Sequence, residues 1–158
     1  MIRLLIVSCL ALVLAACSDE KKPYLSFGGG GFVYNYRIGE MYYGFVAQVH
    51  RKLPDGAVLV ARFEDPAGGA EIIDRQPVVP GRAQYMFRTP PVKGVVKDKP
   101  YTATLTLENP GGEGEIERIS RTFASTADPS LFPAGPLVVG PGYTPNPDLT
   151  GPYAPAKP

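Results

Sequence analysis

The chain has 158 residues, enough for one domain with a real core, and its sixteen basic and fifteen acidic side chains leave a formal charge of +1. With no basic stripe, that balance excludes nucleic acid as an expected partner. Two cysteines, both within the first 17 residues, and a single histidine exclude a disulfide framework and a Cys/His zinc site from the rest of the chain.

The first element is an apolar run, Leu4–Leu14, behind a lone Arg3. It is too short for a membrane-spanning helix, which needs roughly 20 residues, and has the length of a signal-peptide core. It ends in Leu14-Ala15-Ala16-Cys17. This stretch resembles the lipobox of bacterial lipoproteins. The resemblance implies that residues 1–16 are a removed signal and that Cys17 becomes the lipidated first residue. Two or more acyl chains, at about 0.8 kcal/mol per buried CH₂, anchor a protein stably where one does not. Ordinary cleavage near Ala15 or Ala16, giving a secreted chain, is the alternative. Ser18 rather than Asp follows the cysteine, and the sorting pattern of enteric lipoproteins then implies the outer membrane, facing the periplasm. Without Arg3, fifteen basic residues face fifteen acidic ones.

Residues 17–31 read as a lipidated flexible tether, ending in Gly28-Gly29-Gly30-Gly31. No Lys-Ser/Thr and no helical stripe follow, so the glycines are not read as a phosphate loop. From 32 to 127 the apolar period is two. Strands are predicted at 32–38, 42–52, 57–64, 71–79, 84–89, 100–108 and 115–124. In the clearest, Tyr101, Ala103, Leu105 and Leu107 alternate with Thr102, Thr104 and Thr106, as suits a strand covered on one side. Leu53-Pro54-Asp55-Gly56 and Asp65–Gly69 read as hairpin turns, and Asn109-Pro110-Gly111-Gly112 follows the threonine strand. The expectation is an all-β fold: a single antiparallel β-sandwich of about seven strands over 32–127.

Tyr101–Asn109 with Gly111–Gly114 resembles the F strand and F–G turn of fibronectin type III domains. Val60–Gly69 and the strand after it resemble that family's C–C′ hairpin. The resemblance implies a fibronectin III-like or immunoglobulin-like sandwich. It also implies that Tyr101 is a structural corner tyrosine whose hydroxyl bonds backbone near residues 96–99. The family usually buries a tryptophan on strand B; this chain has none, so other aromatics must fill its place.

The last segment, Asp128–Pro158, holds nine of the eighteen prolines and reads as an extended tail. It is dotted with Leu131, Phe132, Leu137, Val138, Val139, Tyr143 and Leu149, more apolar than a plain linker. Two readings stand side by side: residues 131–143 dock on the sandwich or a partner, with 144–158 freer, or the tail is disordered and its apolar residues are incidental.

Few residues suggest chemistry. His50 alone cannot build a zinc site, and no Gly-x-Ser-x-Gly elbow exists. Glu113, Glu115 and Glu117 alternate and would share a strand face, as a cation site, a carboxylate pair or a solvated edge. Arg62, Arg75, Arg82, Arg88, Arg118 and Arg121 read as dispersed charge rather than one anion-binding face. Half of the sixteen aromatics lie between Tyr24 and Phe45. Some must fill the core; a surplus would make a sticky surface. The candidate partner-binding residues are Tyr42, Tyr43, Leu137, Val138, Val139 and Tyr143. No cofactor, metal or catalytic residue is assigned. The expected role is a non-enzymatic interaction or structural module of the envelope, with a membrane contact through Cys17 and a protein partner. The alternatives are a small-ligand or glycan binder and, last, a hydrolase.

Overall fold

A computed structural model describes residues 22–156. The expected leader, the lipidation site Cys17 and the start of the tether lie outside the described residues. The described chain is all-β, with short 3-10 turns and no α-helix. Seven strands follow in order: β1 (Leu25–Asn35), β2 (Glu40–Val49), β3 (Val58–Phe63), β4 (Ile72–Pro77), β5 (Gln84–Arg88), β6 (Tyr101–Glu108) and β7 (Glu115–Phe123). Two short strands, β8 (Val138–Val139) and β9 (Thr144–Pro145), follow them. They make three antiparallel sheets, ordered β1-β2-β5, β4-β3-β6-β7 and β8-β9.

The two larger sheets enclose one core in a sandwich-like arrangement. Alternation puts Met41, Tyr43, Phe45 and Ala47 inside from β2, Leu59, Ala61 and Phe63 from β3, and Tyr101, Ala103, Leu105 and Leu107 from β6. Phe45 is the aromatic hub, with ring centroids 4.8 Å from Phe27, 5.4 Å from Phe63 and 5.4 Å from Phe87. Phenylalanines thus fill the centre in a chain without tryptophan.

Four expectations are corrected. β1 begins at Leu25, not at Phe32, so Leu25–Gly31 is strand and not tether. The glycines pair with β2 through backbone bonds, which need no side chain, around a bulge between Phe27 and Gly29. A β-carbon on Gly30 would come within 2.6 Å of the Phe123 ring and 2.5 Å of the Gly44 carbonyl, so only glycine lets β7 pack this closely under β1. Second, Leu53–Gly56 is not a hairpin. It carries the chain from the first sheet to the second, because Leu53 and Ala57 are buried over the end of the core. Third, Thr106 is buried rather than solvated, since Arg62 and Arg75 both pair with Glu108 beside it and Arg62 also donates to its hydroxyl. Fourth, Glu113, Glu115 and Glu117 do not share a face. Glu117 pairs with Leu107 and Glu115 with Glu108, so Ile116 is an extra residue that turns the strand over.

The tail past Asp128 folds back onto the β1–β2 hairpin. Phe132 stacks on Tyr34 with centroids 4.3 Å apart, and the Tyr34 hydroxyl donates to the Pro133 carbonyl at 2.7 Å. The Leu137 N–H donates to the Tyr36 carbonyl at 3.0 Å. Gly39, at φ 68°, lies so close to Gly135 that a β-carbon would sit 2.5 Å from that carbonyl carbon. Buried Asn146 donates to the Pro136 carbonyl, and Leu149 is buried as well, so order extends beyond residue 143.

Candidate functional site

The outer face of the β1-β2-β5 sheet carries an open, mostly apolar groove of about 340 Å³. Its shape follows from which residues alternate outward. Gly31 lies opposite Gly44, and Gly44 opposite Arg88. One step along, Gly29 lies opposite Val46, and Val46 opposite Met86. In the other direction Val33 faces Tyr42. Glycine on two neighbouring strands therefore removes the side chains from the middle of the face and bares the backbone as a floor. A β-carbon at Gly29 or Gly31 would meet nothing within 4 Å. Val33 and Met86, 57% and 70% exposed, form apolar rims. The Arg88 guanidinium lies 4.4 Å from the centre of the Tyr42 ring, a cation–π contact that covers that ring.

The expected partner-binding residues separate. Tyr43 is fully buried and cannot meet a partner. Its hydroxyl donates to the Glu64 carbonyl, and burial, helped by the Glu64 carboxylate, pushes its phenol well above the ordinary 10.0. Tyr42 is 8% exposed and contributes to the groove wall from beneath Arg88. Leu137, Val138, Val139 and Tyr143 belong to the tail. Tyr143 is exposed, with the Arg37 guanidinium 4.5 Å from its ring centre and a hydrogen bond from that guanidinium to its hydroxyl. Exposed Tyr36 and Ile38 lie on the hairpin that this tail covers. Tyr101 is buried; its hydroxyl accepts from Val96 N–H at 2.8 Å and donates to the Gly94 carbonyl at 3.4 Å.

The other candidates have structural partners. Glu117 accepts from the N–H groups of Tyr24 and Leu25, at 2.8 and 2.9 Å, and so ties the start of β1 to β7. Arg118 bonds Glu115 and holds its carboxyl below the usual range. His50 exchanges a 2.7 Å hydrogen bond with Ser26. Among the described residues, no three His, Cys, Asp or Glu side chains group as metal ligands. No described helix is long and apolar enough to cross a membrane.

Nothing in the linear chain joins the groove residues: Gly29 and Gly31 read there as tether, Arg88 as dispersed charge, and Val33, Gly44 and Met86 carry no mark of a site. Met86 between Tyr85 and Phe87, and Val33 between Phe32 and Tyr34, give the readable signal: an apolar residue stands on the face opposite the core. No protein-family model matches this chain, and no curated protein matches it.

Proposed function

We propose that the chain is a non-enzymatic lipoprotein of the bacterial envelope, held through lipidated Cys17 on the outer membrane and facing the periplasm. Its domain is a β-sandwich of fibronectin III-like or immunoglobulin-like type. Support for that class comes from the sheet orders β1-β2-β5 and β4-β3-β6-β7 and from the hydroxyl bonds of Tyr101. Its role is to bind a protein partner through the outer face of the smaller sheet.

The glycine-floored groove carries this reading. Side-chain-free backbone between apolar rims suits close approach of a partner's apolar side chain, with Arg88 as a polar marker at one end. A photo-cross-linking residue placed at Met86 in living cells tests it. An adduct of defined mass is expected from position 86 and none from exposed Ile73 on β4 of the other sheet. Equal labelling at both positions, or none at 86, contradicts the reading.

A small-ligand role is the second reading, favoured by the groove's volume, which lies in the range of ligand pockets. A specific ligand raises the melting temperature by mass action. Screening muropeptides, lipopolysaccharide fragments and phosphates separates the two readings.

A further inference from the structure

A second concavity, of about 410 Å³, lies at the opposite end of the strands from the docked tail. It is enclosed by the loop between β2 and β3 and the loop between β4 and β5. His50, Arg51, Lys52 and Arg82 line it, and among the described residues no acidic one does. Both loops are pinned. The Tyr85 hydroxyl accepts from Val79 N–H at 2.8 Å, and Arg82 N–H donates to the Val79 carbonyl at 3.2 Å. The Val49 N–H donates to the Ala83 carbonyl at 2.9 Å, joining the two loops at the mouth. Arg51 is held with its guanidinium carbon 3.5 Å from the centre of the Tyr24 ring. The cations are thus carried on fixed backbone.

Among the described residues, the acidic groups at this end are engaged elsewhere or lie outside the lining. Glu117 holds the N–H groups of Tyr24 and Leu25, and Glu115 holds Arg118. Asp55 pairs with Lys52 at 3.3 Å, but both side chains are open to water, where such a pair is weak. Glu113 sits on the β6–β7 turn, outside the lining.

The chain enters the fold at this same end, through Tyr24 and Leu25. Cys17 and Leu25 lie eight positions apart in the sequence, a span of at most about 28 Å. We propose that this basic cleft faces the bilayer and seats the phosphate of an anionic lipid headgroup, orienting the anchored domain with its tail pointing away. The placement rests on the lipid-anchor reading above; the cleft's affinity for anionic headgroups does not.

Sedimentation with vesicles tests it. Among the described residues every buried core residue lies at Leu25 or beyond, so a chain of residues 18–158, without acyl groups, keeps all of them. It is mixed with pure phosphatidylcholine vesicles and with vesicles holding 30% phosphatidylglycerol (chosen compositions, roughly matched in size), at low salt. Binding to the anionic vesicles alone is expected, lost at high salt and weakened about fivefold for each of Lys52→Ala and Arg82→Ala. Both side chains are exposed, and circular dichroism checks that the variants fold. Equal binding to both vesicles, no binding, or binding unchanged in the double variant overturns the proposal. So does a phosphate-induced spectral shift at these residues without vesicle binding, which would assign the cleft to a free anion. A chain found unlipidated in cells but positive here would sink the anchor reading and leave the cleft's lipid affinity standing.

Discussion

Single residues set the tolerances of this fold. Tyr101 is buried with two backbone partners, and Tyr101→Phe leaves the Val96 N–H without its acceptor. The expected loss is about 1 kcal/mol or more, read as a lower melting temperature; an unchanged midpoint would show the hydroxyl to be idle. Gly30→Ala places a methyl group against the Phe123 ring and is expected to destabilise by roughly 1–3 kcal/mol. Gly29→Ala meets open space, so the pair of variants separates packing from backbone entropy. Tyr43 gives a pH signature. Its phenol is raised in the fold above 10.0, so the folded state keeps a proton that the unfolded chain releases. Its contribution is fully present below pH 10 and declines as the pH rises above that. Tyr43→Phe should flatten the alkaline limb of the melting curve, and an unaltered limb would place the titration elsewhere.

At the scale of elements, strand periodicity was legible and strand pairing was not. β3, β5, β6 and β7 lie within about one or two residues of their expected bounds because core and solvent alternate cleanly along them. β1 was misread where side chains vanish: Gly28–Gly31 shows no period, although their backbone pairs as well as any. The Leu53–Gly56 turn has hairpin composition, and only the burial of Leu53 and Ala57 reveals that it changes sheets. The groove was illegible for a related reason. It is made by two glycines meeting across strands, and register is not written in either strand alone. The tail's apolar residues left docking and disorder equally open in the sequence, and the structure places Phe132 as its anchor on Tyr34. Phe132→Ala removes the stack on Tyr34 and should release the segment after Asp128 to protease while β1–β7 stay folded. Global unfolding in that variant would instead make the tail part of the core.

Across the whole molecule, the two ends and one face have distinct characters. The end where the chain enters is basic around His50, Arg51, Lys52 and Arg82. The far end is covered by the proline-rich tail, with Tyr36, Ile38 and Tyr143 exposed there. Between them the smaller sheet presents its groove outward. This polarity acquires meaning from an anchor at Cys17: the basic end would lie against lipid, leaving groove and tail open to the periplasm. The most direct measurement is the mass of the N-terminal peptide of the protein extracted from cell membranes. A mature chain beginning at Cys17 with a diacylglyceryl thioether and an N-acyl group is predicted, with Cys17→Ser moving the protein out of the membrane fraction. A chain cleaved beside Ala15 or Ala16, carrying no lipid and recovered soluble, would contradict it.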